Sequence, residues 1–208
     1  MLENIRNVYC VGRNYALHAA ELGNAIPASP MIFMKPSHAL VEMKGQSIQL
    51  PGNQGEIHYE AELVLHIGKP YEKGIQVDEL VDSFALGIDF TLRDVQNELK
   101  KKGHPWLAAK GFLRSAAIGR FFPFIGEQAM KHTDFSLLKN EIEVQHGNTS
   151  NMIFDLQAIV DFCAANYGLS AGDLIYTGTP AGVGSVANGD VLRLLWGIEQ
   201  AGVCKIQM

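Results

Sequence analysis

Apolar residues come in short runs along this chain, and nearly every run is closed by glycine or proline. That pattern predicts many short strands and few long helices. Residues 7–11 read as a strand ending at Gly12, and residues 14–22 as a short helix with Asn14 as its cap and Gly23 as its stop. Pro30 and Pro36 bracket Met31–Lys35, a run short enough only for a buried strand, with Met31 and Met34 as core filler. Residues 47–50 form another strand closed by Pro51, and a turn over 51–55 leads into residues 58–67, a strand that stops at Gly68. A short helix is expected around 77–81, a strand over 84–91 and a helix over 92–101. Residues 115–126 are aromatic-rich and loop-like, and residues 139–144 alternate like one strand of a hairpin. A turn at 146–150 precedes a helix over 151–165, and strands at 174–176, 190–195 and 202–206 close the chain.

Two of these elements carry more chemistry than their fold requires. In a strand, alternate side chains share a face, so Glu60 and Glu62 point the same way while Tyr59, Ala61 and Leu63 point the other. Neighbouring like charges repel unless a cation sits between them, and hard carboxylate oxygens at this spacing suit Mg²⁺, Mn²⁺ or Ca²⁺. A solvated strand face would explain the same pair, so a metal reading needs a third ligand. Asp89 is a lone acid in the apolar strand 84–91. Because a buried unpartnered carboxylate costs several kcal/mol, on the order of its desolvation penalty, Asp89 must be protonated, hydrogen-bonded or on a cation, which makes it the natural third ligand.

Length and composition narrow the function. A chain of 208 residues with 47% hydrophobic and 19% charged residues fits one domain, taken as residues 1–208, with a core large enough to need no disulfides. A formal net charge of −5 offers no basic footprint for nucleic acid. Cys10, Cys163 and Cys204 are scattered, which suits small buried residues in a reducing cytoplasm rather than a zinc site or a disulfide framework. The first residues lack a signal-peptide pattern, and no apolar run has the length to span a bilayer, so a soluble cytoplasmic protein without a membrane partner is expected.

Other residues are candidates by chemistry. His18 and Glu21 lie three apart on the helix over 14–22 and so share a face; a carboxylate beside an imidazole makes a proton-transfer dyad, although a surface pair would look the same. Lys110 is embedded in apolar neighbours, either reaching for the surface or facing an anionic site. Lys100, Lys101 and Lys102 read as a solvated helix end. The loop after residue 176, Thr177-Gly178-Thr179-Pro180-Ala181-Gly182-Val183-Gly184, offers N–H groups and hydroxyls to a carboxylate or phosphate, or is simply a tight turn.

Taken together and in order, these motifs resemble the fumarylacetoacetate hydrolase family from about residue 8 to the C-terminus. The residues that carry the likeness are Gly12-Arg13-Asn14-Tyr15 with His18 and Glu21; Glu60-x-Glu62; Asp89 followed by Thr91-x-Arg93-Asp94-x-Gln96; Pro105-Trp106 and Lys110; Asn148-Thr149 with Met152-Ile153-Phe154; and Gly172-Asp173 leading to Thr177–Gly184. The stretch Lys100–Trp106 is similar to that of the compact acylpyruvase and oxaloacetate decarboxylase group. The resemblance implies an α+β, mostly-β fold, a mixed β-roll resembling a β-sandwich with short flanking helices, and a homodimer. It implies Mg²⁺ or Mn²⁺ on Glu60, Glu62 and Asp89, and a lid bearing His18 and Glu21. It further implies that Lys110 stabilises negative charge, that Arg93, Gln96 and Thr179 hold a substrate carboxylate, and that His58 is no ligand. Two departures stand out: residues 137–147 are compressed where relatives carry a longer hairpin turning at Asn-Gly, and Gly172-Asp173 lacks a preceding proline.

The expected activity is metal-dependent C–C cleavage in a small 2-oxo acid, with acylpyruvate hydrolysis and oxaloacetate decarboxylation as the leading forms. The rival within the family is a hydroxymuconate-type isomerase or decarboxylase of aromatic catabolism. The rival outside catalysis is a silent metal-binding domain.

Overall fold

The computed structural model describes residues 2–17 and 27–208. Strands β1 (Val8–Gly12), β2 (Met31–Lys35), β3 (Leu40–Glu42), β4 (Lys44–Gln49), β5 (Ile57–Tyr59) and β6 (Ala61–Ile67) come first. Helix α1 (Val77–Leu80), strands β7 (Val81–Asp89) and β8 (Thr91–Leu92), and helices α2 (Arg93–Lys102) and α3 (Leu107–Lys110) follow. Then come β9 (Ala116–Ile118), β10 (Phe122–Pro123), α4 (Glu127–Met130), β11 (Phe135–Lys139), β12 (Ile142–Gly147) and α5 (Leu156–Tyr167). Strands β13 (Leu174–Tyr176), β14 (Gly184–Ser185), β15 (Val191–Trp196) and β16 (Glu199–Gln207) end the chain.

Among the described residues these strands form three sheets: one ordered β2-β1-β13-β6-β7-β9-β3 with β10 beside β7, one ordered β12-β11-β15-β16-β4, and a small one ordered β14-β5-β8. The first two mix parallel and antiparallel pairs, since β1–β13, β3–β9 and β16–β4 are parallel. Strands β15 and β16 lie against β7. The main core fills with Leu63, Leu65, Phe84, Leu86, Ile88, Leu192 and Leu194. The mostly-β, mixed architecture with short helices is the one expected. Gly87 lets the Tyr176 ring lie across the face of the first sheet to reach the Ala117 carbonyl, because a Cβ there would stand 2.6 Å from that ring and 2.8 Å from that carbonyl. Cys10, Cys163 and Cys204 are free and buried, as the sequence suggested.

Several expected elements differ in detail. The strand over 58–67 is broken at Glu60, and that over 84–91 begins at Val81 and breaks at Phe90. The aromatic stretch 115–126 holds β9 and β10, so it is not simply loop. Residues 139–144 are not one strand: the chain reverses at Asn140-Glu141, both in the left-handed region at φ 53 and 66. Asn-Gly is the usual occupant of such a turn, and glutamate gives no turn signal. The hairpin β11–β12 nevertheless forms, with a register shift between Leu137 and Leu138. The helix expected over 151–165 starts at Leu156, because the Asp155 carboxylate accepts from Ala158 N–H at its mouth. The helix expected over 14–22 runs mostly outside the described residues; among those described, the Asn14 amide oxygen accepts from Phe154 N–H and its amide nitrogen donates to the carbonyls of Phe154 and Thr177.

Candidate metal centre

The two strand breaks build the site. Where β5 gives way to β6, the Glu60 carbonyl accepts Asp89 N–H at 2.8 Å, tying the end of β7 to the break. Beyond it β6 and β7 pair with Ala61 opposite Ile88 and Glu62 opposite Gly87. Glu60, Glu62 and Asp89 are therefore brought together, each buried, with one carboxylate oxygen apiece all within 4.8 Å of one another.

Three buried cations surround them. The Lys110 ammonium donates to Glu60 Oε2 and Asp89 Oδ2 at 2.6 Å each and to Thr91 Oγ1 at 2.7 Å. Burial pulls the Lys110 pKa down, but the Asp89 and Glu60 charges and hydrogen bonds outweigh it, and the net shift is upward. Arg93, at the start of α2, donates through Nη2 to Glu60 Oε1 at 2.5 Å and through Nη1 to Gln96 Oε1 at 2.6 Å. Lys35, fully buried at the end of β2, sits 2.7 Å from Asp89 Oδ1 and donates to the carbonyls of Phe90, Ser115 and Lys110. It thus fixes both an acid and the backbone that carries the Lys110 side chain.

Glu62 stands apart. Its Oε2 accepts Gly178 N–H at 2.7 Å, and no described cation is paired with it. Burial, then the Asp89 and Glu60 charges, push its pKa well above the carboxylate range. The donor set suits a hard divalent cation: three carboxylates, within the span that two oxygen ligands subtend across an ion at about 2.0–2.6 Å. An ammonium already lies between two of them.

Thr179 lines the same cleft, but its hydroxyl donates to the Ala61 carbonyl at 2.9 Å and accepts from Gln145 Nε2 at 2.8 Å. Gln145 also accepts Ala61 N–H, so a buried amide joins the Thr177–Gly184 loop to β6. His58 faces Glu56 at 3.1 Å and is no member of the cluster. His18 and Glu21 lie outside the described residues.

Sequence reasoning gave no site role to Lys35 or Gln145, nor to Arg13 and Lys100, which entered only through the motifs that carry the family resemblance and, for Lys100, as a solvated helix end. Lys35 closes an apolar run just before Pro36, and that isolated charge was the available signal. Lys100 is not part of a solvated helix end like its neighbours: it is half-buried, with Nζ 5.5 Å from the centre of the Trp106 ring. Arg13, Lys100 and Trp106 line the cleft with the acids.

A mixed β-roll whose sheet junction gathers three carboxylates defines a class, and comparison gives that class its name. The fumarylacetoacetate (FAA) hydrolase C-terminal family matches residues 7–207, and the chain belongs to it. It is 37% identical over 195 residues to the oxaloacetate tautomerase of Escherichia coli K12, spanning 91% of this chain and 88% of that protein. It is 37% identical over 196 residues to the mitochondrial oxaloacetate decarboxylase of Dictyostelium discoideum, spanning 92% and 88%. The crystal structure of fumarylpyruvate hydrolase from Pseudomonas aeruginosa, in complex with Mn²⁺ and pyruvate, superposes with a TM-score of 0.89 at 33% identity, covering 98% of this chain and 90% of that one. No helix among the described residues is long and apolar enough to cross a membrane.

Proposed function

We propose that this chain is a divalent-metal-dependent enzyme of small 2-oxo acids that acts on oxaloacetate, exchanging its keto and enol forms and allowing C3–C4 cleavage by decarboxylation. The observation that carries this reading is the buried cluster of Glu60, Glu62 and Asp89, balanced by buried cations, in a chain similar to an oxaloacetate tautomerase and an oxaloacetate decarboxylase. Glu60, Glu62 and Asp89 would hold Mg²⁺ or Mn²⁺, which when bound supplies Lewis acidity toward a 2-oxo acid. Lys110, a permanent ammonium, stabilises negative charge that develops at the 2-oxo oxygen. Arg93 and Gln96, already joined side chain to side chain, present a preformed donor set to the 1-carboxylate. Thr179 belongs to the same wall, although any bond its hydroxyl gives a ligand must displace the one it gives Ala61. The His18–Glu21 dyad moves the proton at C3. The same reading takes the protein to be a cytoplasmic homodimer, which light scattering after size exclusion would test for assembly.

The test follows the enol absorbance of oxaloacetate, and pyruvate formation, with protein stripped of metal and then reloaded. Acceleration that disappears on chelation and returns with Mg²⁺ or Mn²⁺ is expected; a rate equal to that of metal alone would end the proposal. A second reading, acylpyruvate hydrolysis, is favoured by the likeness to the fumarylpyruvate hydrolase structure. There the His18–Glu21 dyad would direct water to the distal carbonyl. Acetylpyruvate turnover exceeding that of oxaloacetate would put it first.

A further inference from the structure

The cleft holds more positive charge than its carboxylates consume. Lys35, Lys110 and Arg93 are each paired with Glu60 or Asp89. Arg13 and Lys100 line the same cleft, half-buried, and among the described residues neither has an ion-pair partner.

Both are held in place by structure that a solvated surface cation would not need. Arg13 has φ 59, a conformation uncommon for a residue with a side chain. It is imposed by the next residue, since Asn14 is fully buried and bonded to Phe154 and Thr177. Lys100 projects from α2 over the face of Trp106, which itself packs 5.9 Å from Phe33 at the cleft wall. Burial and then the Arg13 and Arg93 charges lower the Lys100 pKa against a smaller opposing effect of Glu60, so the two cations that line the cleft repel each other. Half-desolvated and mutually repulsive cations are relieved by one anion placed between them.

We propose that Arg13 and Lys100 form a recognition arm for the second carboxylate of a 2-oxo diacid, and that by holding it they favour keto–enol exchange over loss of CO₂. The proposal rests on the 2-oxo-acid reading above. In the exchange, a proton leaves C3, its bonding pair becomes the C2–C3 double bond and the 2-oxo oxygen takes a proton. The distal carboxylate keeps its charge throughout. In decarboxylation the C3–C4 bond breaks, its electron pair passes to the C2–C3 unit, CO₂ departs uncharged and C3 later takes a proton. An ion pair to that carboxylate is present in the ground state and lost in the transition state, which raises the barrier to CO₂ loss without opposing proton transfer.

The experiment uses full-length protein loaded with Mn²⁺, the variants R13Q, K100M and their combination, and two probes sharing one head group. Oxaloacetate carries the second carboxylate; 2-oxobutyrate, assayed as a competitive inhibitor, ends in a methyl group. The double variant should raise the oxaloacetate KM roughly 10- to 100-fold, the range for a lost charged contact. The 2-oxobutyrate Ki and the calorimetric Mn²⁺ affinity should stay within about twofold, a margin too small for a lost charged contact, which also shows that the site has folded. Pyruvate formed per exchange event should rise, and R13K should recover part of the oxaloacetate KM. Equal weakening of both probes, an unchanged oxaloacetate KM, or wild-type protein that binds the probes equally well would overturn the proposal and leave the 2-oxo-acid reading intact. Wild-type protein that binds neither probe would overturn both.

Discussion

At the scale of single residues, the site is an exercise in charge balance. Glu60-x-Glu62 was legible because strand alternation is a local rule, and Asp89 because a lone acid in an apolar strand demands a partner. Lys35 was legible only as an isolated charge closing an apolar run, because that run does not say which carboxylate far along the chain its ammonium turns toward. Its removal should be felt strongly. Lys35→Met leaves Asp89 and the Lys110 carbonyl without their shared donor, and breaking such a buried pair costs about 3–5 kcal/mol. Urea unfolding of the metal-free variant should show that loss, and saturating Mn²⁺ should return part of it by supplying positive charge to the same acids. A variant as stable as wild type would mean that the neighbouring cations compensate fully. Lys110→Met tests the chemical role: kcat should fall roughly 10²–10³-fold, as when an electrostatic stabiliser is deleted. A change confined to KM would reassign Lys110 to substrate binding.

Secondary-structure elements matter here mainly where they stop. The alternation that placed Glu60 and Glu62 on one side gave no hint that the strand would break at Glu60, because there the chain passes from pairing with β8 and β14 to pairing with β7 and β13, and those partners lie in separate elements. The loop after β13 illustrates how one glycine ties backbone to chemistry. Gly178 has φ +100, and a Cβ there would lie 2.7 Å from the Asn14 Cβ, while its N–H is the donor that holds Glu62. Gly178→Ala should therefore cost at least about 1–2 kcal/mol in backbone strain and weaken Mn²⁺ binding through Glu62. Calorimetry showing unchanged affinity would separate the loop from the site. The hairpin turn gives the opposite sign. Glu141 pays a left-handed penalty at φ 66, set against an exposed ion pair with Arg193 at 2.7 Å. Glu141→Gly removes strain worth about 1–2 kcal/mol and loses a contact worth about 0–1 kcal/mol. The urea midpoint should rise by a modest amount with the slope unchanged.

At the scale of the whole molecule, what the sequence could not show is the order of strands. The parallel pairs β1–β13, β3–β9 and β16–β4 join segments far apart in the chain, and no local pattern encodes which distant runs meet. Yet that order is what brings β6 between β13 and β7, with Glu62 between the Gly178 loop and Asp89. A cation on the three acids would thus bind the β5–β6 break to the end of β7, ligating the folded chain and not the unfolded one. Linkage then sets the size of the effect. At a free metal concentration of about 100 times Kd, stabilisation is about 2.7 kcal/mol, and for a domain of this length each kcal/mol moves Tm by about 2–4 °C. Mg²⁺ or Mn²⁺ should therefore raise Tm by roughly 5–10 °C, chelation should reverse it, and Glu62→Ala should abolish the shift while remaining folded. The Glu62 variant is the sharper arm of that experiment, because it deletes the one acid of the three without a paired described cation. A shift that survived in it would place the stabilising ion elsewhere on the surface, and the buried carboxylates would then be a self-contained ion-pair network held by Lys35, Lys110 and Arg93.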